Sequence, residues 1–237
     1  MAFFQKTRII FYERFVKFFV MYENKKAKKI LRILNKLYPK APIPLKHKNK
    51  FTLLVSVLLS AQCTDLNVNN VTKDIYPKYN KPEHFLKLGR KKIEKLIKKI
   101  GIFRVKAKSI YLMSKQLLEK HNGKVPKNFE ELEKLPGVGH KTASVVMSQG
   151  FGYPAFAVDT HIHRLAQRWG LTNGKNVVQT EKDLKKFFPK KTWTKLHLQI
   201  IYYGREYCKA RSCYGLTCKI CKTCYPKRKN PLITKKA

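Results

Sequence analysis

Two residues of this 237-residue chain have the type and setting for nucleophilic and acid–base chemistry, and five cysteines have the spacing for a metal centre. Lys141 lies in LPGVGHKTASVV, residues 135–146, where Pro136 and Gly137 force a tight turn and Gly139 stands just ahead of a helical pattern. Glycines in such a turn let the backbone come close to a ligand, and amides exposed at the start of the next helix favour an anion such as a phosphate. Lys141 falls in the first turn of that helix. The positive end of the helix dipole there penalises an ammonium ion and favours the neutral amine, which is a nucleophile. Asp159 precedes THIHRLAQRW, in which Ile162, Leu165, Ala166 and Trp169 follow the i, i+3, i+4, i+7 rule of an amphipathic helix. A carboxylate at that point is an ordinary N-cap, and one oxygen can cap while the other faces a cleft.

Cys208, Cys213, Cys218, Cys221 and Cys224 crowd into seventeen residues. With no secretory signal in the sequence, such a group is expected to serve a metal rather than disulfides. Paired cysteines at this spacing suit zinc, and thiolates alone do not separate zinc from an iron–sulfur cluster. Lys209, Arg211, Lys219 and Lys222 between the cysteines are placed to present cations to phosphates. His140, His161 and His163 lie near the proposed site but share no ligand spacing, and we assign them no metal.

The elements that must position these groups read as helices. Apolar residues recur at helical spacing from about Lys25 to Leu37, and PKAPIP then breaks the pattern. Phe51 to Ser60 is apolar on nearly every side, which predicts a buried central helix. Further helical patterns follow at Leu66 to Tyr76, Pro82 to Leu88, Lys91 to Ile100, Val105 to His121 and Asn128 to Lys134. Alternating β-branched segments bounded by hairpin turns are missing, so the expected fold is all-α. After Tyr207 apolar periodicity fades, as in a segment organised by ligands or crosslinks.

Composition narrows the partners. Fourteen acids against 52 Lys and Arg give a formal charge of +38, which predicts attraction to a polyanion and salt-dependent binding. Lysine tracts such as KKIEKLIKK also arise as solvated helix faces, so charge alone does not prove a nucleic-acid partner. The most apolar stretch, FTLLVSVLLSA at 51–61, is far shorter than the roughly 18 to 20 residues that cross a bilayer, and no membrane role is expected. Residues 1–21 read as an N-terminal extension, because their mixture of Phe, Ile, Lys and Arg lacks a small-residue cleavage signal.

LPGVGHKTA, followed eighteen residues after its Lys by the Asp of VDTHIHRL, resembles the helix-hairpin-helix and Gly/Pro-Asp signature of the endonuclease III family of DNA glycosylases. LLSAQCTDLNVN at 58–69, IGIFRVKAKSI at 100–110 and the cysteine tail occur in the family's order, so the resemblance spans nearly everything from about Lys25 onward. It implies two helical lobes flanking a DNA-binding cleft, one formed by 43–153 with the hairpin and the other by 22–42 with 154–237 and the cysteine loop.

In enzymes of this kind the damaged nucleotide is turned out of the duplex. Lys141 would then attack C1′ of the sugar, and Asp159 would stabilise positive charge developing there and help proton transfer. Adenine glycosylases of the superfamily typically lack a lysine at this position, so Lys141 favours a bifunctional glycosylase and abasic-site lyase. The resemblance further implies that Gln62 fills the gap left by the flipped base, that Ile102 is an apolar wedge on the opposite side, and that Leu135, Gly137, Gly139 and Thr142 contact DNA. A loop amide and a core isoleucine are the plainer readings of Gln62 and Ile102. Cys63 stands where the family more often has a small non-sulfur residue and is expected to be a small buried hydrophobe.

For the tail, the resemblance implies a four-iron, four-sulfur cluster, with zinc as the alternative. The family places six, two and five residues between successive ligands, whereas Cys208, Cys218, Cys221 and Cys224 are separated by nine, two and two. Those four are the expected ligands, with Cys213 able to replace Cys208 or Cys224. The expected partner is duplex DNA carrying damaged bases or abasic sites, met by a monomer, in the cytoplasm or nucleoid of a bacterium or a eukaryotic nucleus or organelle. A glycosylase for another lesion, such as a mismatched base, and a non-catalytic helix-hairpin-helix binder are the alternatives. The binder would need neither Lys141 nor Asp159.

Overall fold

The structure, a computed structural model, describes residues 25–237, and the expectation for residues 1–21 lies outside them. Among the described residues every regular element is helical, as the missing alternation predicts. They fall into two compact units, Pro42–Ala157 and a second made of the described residues up to Ala41 with Val158–Ala237.

The unit Pro42–Ala157 is built around α2 (Lys50–Ser60), in which every residue from Phe51 to Leu59 is buried. Burying each large apolar side chain contributes about 1.5 to 3 kcal/mol, so this helix is the unit's largest single source of core. Asn49 and Thr52 form a reciprocal capping box at its start. The polar side chains inside the helix are satisfied: Ser56 Oγ shares a 2.7 Å hydrogen bond with Tyr76 Oη, which donates to the Thr52 carbonyl. Around α2 lie α3 (Asp65–Thr72), α4 (Pro82–Leu96), α5 (Phe103–His121), α6 (Phe129–Glu133) and α7 (His140–Val145), the last prolonged by a π-helical turn at Val146–Gly150. The gap the sequence leaves between helices at Leu88 and Lys91 is real: Gly89 adopts φ 73° and ψ 159° and breaks α4 internally.

In the second unit, residues 25–37 form α1, followed by α8 (Thr160–Trp169), α9 (Val177–Phe187), α10 (Trp193–Glu206) and α11 (Lys219–Cys224). Gln199, fully buried on α10, donates from Nε2 to Asn35 Oδ1 and to the carbonyls of Leu34 and Tyr38, tying α10 to the end of α1. Trp169 at the end of α8 packs edge-on against Tyr203 of α10. Helices α9 and α10 are absent from the periodicity reading. α10, WTKLHLQIIYYGRE, mixes aromatic, polar and aliphatic residues on its buried side, including His197 and Gln199, and so hides its period.

Candidate active site

The glycine hairpin joins α6 to α7. The Val138 amide donates to the Leu135 carbonyl at 3.0 Å, closing a turn with Pro136 first and Gly137 second of its central residues. Gly137 has φ 79°, the positive value that a type II turn demands at this place. A Cβ on Gly137 would stand 2.8 Å from Ser109 Cβ and 3.0 Å from Leu58 Cδ1, so only glycine lets the turn rest on α5 and α2. Gly139 is extended and opens α7 without a side-chain cap, and a Cβ there would meet nothing within 4 Å. Lys141 is exposed as the second residue of α7, Thr142 beside it is half-buried, and Leu135 is buried in the core. His140 stacks on Phe129 and shares a 2.8 Å hydrogen bond with Glu133.

Gln62 and Ile102 share an unusual backbone. Gln62 has φ 53°, and Ile102 has φ 58° and ψ 34°, both left-handed and neither a glycine. For a β-branched residue this is a genuine outlier, and such strain clusters at functional sites. Both side chains are exposed, Ile102 to 52%. The core reading of Ile102 does not describe its position, whereas Gln62 is an exposed amide in a loop. The two loops adjoin, since a Cβ on Gly101 would lie 3.6 Å from the Gln62 carbonyl oxygen. Asn67 spans them, with Nδ2 donating to the Lys99 carbonyl at 3.0 Å and to Cys63 Sγ at 3.3 Å. Cys63 packs against the core as a small hydrophobe but is only half-buried, and its sulfur accepts from Asn67.

Asp159 belongs to the second unit and caps α8, its Oδ1 accepting from the Ile162 amide at 2.9 Å. Its other oxygen makes no hydrogen bond to any described residue. The helix it opens also carries two arginines turned toward the cysteine loop. Arg168, 2% exposed, donates to Cys208 Sγ at 3.3 Å and to the carbonyls of Lys209 and Ala210 at 2.9 Å. Arg164 donates to the Cys208 and Gly204 carbonyls. One helix thus presents the carboxylate at its start and anchors the cysteine loop along its length. Neither arginine is singled out by sequence, since a buried arginine reads like any of the 52 basic residues. The i, i+4 spacing was the one available signal.

Four buried thiols, those of Cys208, Cys213, Cys218 and Cys221, bring their sulfurs within 4.8 Å of one another. Cys224 is buried but stands outside this group. The physical reason is helical rise: Cys218 is the N-cap of α11, so Cys221 lies in its first turn and Cys224 at its far end, while the loop after Cys208 folds Cys213 inward. Hydrogen bonds with Cys208 and Cys221 hold the Cys218 thiol well below the usual range, and the hydrogen bond with Cys218 pushes the Cys208 thiol up. Four thiols this close cannot all ionise without a cation among them, and a bound metal centre meets that need. The donor set, four buried sulfurs beside a guanidinium, fits an iron–sulfur cluster.

A glycine hairpin leading into a lysine-bearing helix, on an all-helical scaffold with a C-terminal four-cysteine cluster, defines a helix-hairpin-helix protein of base-excision repair. The family model described as HhH-GPD superfamily base excision DNA repair protein matches residues 55–190. The chain belongs to the endonuclease III family of DNA glycosylases and abasic-site lyases. It is 45% identical to endonuclease III of Bacillus subtilis (strain 168) over 189 residues, covering 79% of this chain and 86% of that protein. Against endonuclease III of Escherichia coli (strain K12) it is 44% identical over 207 residues, covering 86% and 98%. A solved structure of a trapped endonuclease III–DNA covalent intermediate superposes with a TM-score of 0.80 at 42% identity, covering 83% of this chain and 93% of that one.

Proposed function

We propose that this protein excises oxidised pyrimidines from duplex DNA, acting as a monomer, and cleaves the resulting abasic site through a Schiff base on Lys141. The observation that carries this reading is the exposed Lys141 amine, second residue of the helix that the glycine hairpin opens. The covalent DNA intermediate of a 42%-identical relative supports it. The neutral amine attacks C1′ as the base departs, and loss of a proton from C2′ then expels the 3′ phosphate by β-elimination. Asp159, with one oxygen capping α8, uses the other to stabilise positive charge on the sugar and to assist proton transfer. Gly137 and Gly139 bring backbone amides to a phosphate and Thr142 adds a hydroxyl, while Leu135, buried and with its amide donated to the Leu132 carbonyl, holds the turn they stand on. Gln62 and Ile102 fill the space that the extruded nucleotide leaves.

Cys208, Cys213, Cys218 and Cys221 would hold a four-iron, four-sulfur cluster, with Cys224 in reserve. When bound, the cluster supplies a fixed scaffold for the 208–224 loop, whose Lys209, Arg211, Lys219 and Lys222 reach toward phosphates.

Borohydride trapping on duplex DNA with an abasic site tests the central step. The wild-type chain is expected to give a covalent adduct that Lys141→Ala abolishes, and an adduct that persists in Lys141→Ala would overturn the assignment. Asp159→Asn is expected to slow single-turnover excision at least about a hundredfold while changing DNA affinity only a few fold. Excision measured across a lesion panel checks the substrate class.

A further inference from the structure

Lys106 is a lysine placed where lysines are rarely found. It sits in the first turns of α5 and is 6% exposed. Its Nζ donates to the Leu59 carbonyl at 2.9 Å and to the Ala61 carbonyl at 2.6 Å. Those carbonyls end α2, where the helix dipole favours a cation, and Gln62 is the next residue along the chain. Burial pulls the Lys106 pKa below the ordinary value, the expected cost of desolvating an ammonium, while Cys63 acts in the opposite direction. The main chain of Lys106 points the other way. Its amide donates to the Ile102 carbonyl at 3.2 Å, forming the first hydrogen bond of the helix that Ile102 opens. A single residue is therefore bonded to both left-handed loops, and Asn67 adds the second tie between them.

We propose that Lys106 is a positioning residue that locks the Gln62 and Ile102 loops into one arrangement, so that both side chains enter the duplex together when a nucleotide is turned out. This rests on the reading of Gln62 and Ile102 given above. Strained backbone persists only where its surroundings over-determine it, and an ammonium gripping two carbonyls beside Gln62 is such a determinant. An apolar side chain of the same length would fill the space but leave the carbonyls unheld.

The test is a double-mutant cycle on the full chain, using duplex DNA with a tetrahydrofuran abasic analogue and an adjacent 2-aminopurine whose fluorescence reports unstacking. Lys106→Met is expected to lower the unstacking amplitude and the affinity about tenfold, and Lys106→Arg to restore most of both. Gln62→Ala should cost about the same as Lys106→Met, and the Lys106→Met/Gln62→Ala pair no more than about twofold beyond Gln62→Ala alone. Fully additive losses, or a Lys106→Met protein with wild-type unstacking, would mean that Lys106 serves stability only and would overturn the proposal. Wild-type behaviour of Gln62→Ala would instead overturn the reading of Gln62, and this proposal with it. Should Lys106→Met fail to fold, Asn67→Ala removes the second tie from the surface side and enters the same cycle with the same expectation.

Discussion

Ile102 stands in the left-handed region with about half of its surface exposed, a combination that costs stability and returns little packing. Holding a β-branched residue there costs about 1 to 3 kcal/mol, whereas glycine adopts the same φ and ψ freely at an entropic cost of about 0.5 to 1 kcal/mol. Ile102→Gly should therefore leave stability within about 1 kcal/mol of wild type in urea denaturation. Its affinity for the tetrahydrofuran duplex should fall several fold. A large loss of stability with unchanged affinity would make Ile102 a packing residue. At this scale Lys141 and Asp159 are candidates from motif and residue type, and Gln62 and Ile102 from the family resemblance. Asn67 and Lys106 were not, because an asparagine bridging two loops and a lysine under a helix end look like surface residues until their partners are known.

The cysteine loop is decided at the scale of the element. Cys208, Cys218 and Cys221 stay together as expected, while α11 carries Cys224 a turn beyond the group that Cys213 joins. Protein purified with Cys213→Ser should lose most of its iron and its broad visible absorbance, whereas Cys224→Ser should keep both. Iron analysis and absorption spectra check this, and the reverse result would return the ligand set to Cys208, Cys218, Cys221 and Cys224. Stoichiometric zinc in a colourless wild-type protein would rule out the cluster. Helix positions in the hairpin unit were readable because Gly, Pro and capping residues punctuate them: Gly89 breaks α4 where the pattern lapses, and Asn128 caps α6. Their ends moved by up to four residues, α3 stopping at Thr72 and α4 at Leu96. α5 begins at Phe103, ahead of the Val105 its periodicity marks, because Ile102 takes up the entry bend.

For the whole molecule, the formal charge of +38 sets how DNA affinity responds to salt. Each neutralised phosphate releases counterions, giving a slope of about −0.9 per contact in log affinity against log salt. If the basic surface engages about six to ten phosphates, affinity should fall about 10³- to 10⁵-fold between 50 and 200 mM salt, measured by fluorescence anisotropy on a lesion duplex. A slope near zero would make the lysine tracts solvated faces with no part in binding. Among the described residues no helix is long and apolar enough to cross a membrane, in keeping with the short apolar run at α2.

By itself the sequence determined the helical class, the hairpin, the nucleophile and carboxylate candidates and the presence of a thiolate-rich tail, since each is written in spacing over a dozen or so neighbouring residues. Only the tertiary structure decided which four cysteines converge, that both proposed wedge residues share a left-handed backbone, and that Lys106 reaches carbonyls 45 and 47 residues earlier in the chain. Contacts of that kind depend on how helices pack rather than on local periodicity, and no short-range pattern encodes them.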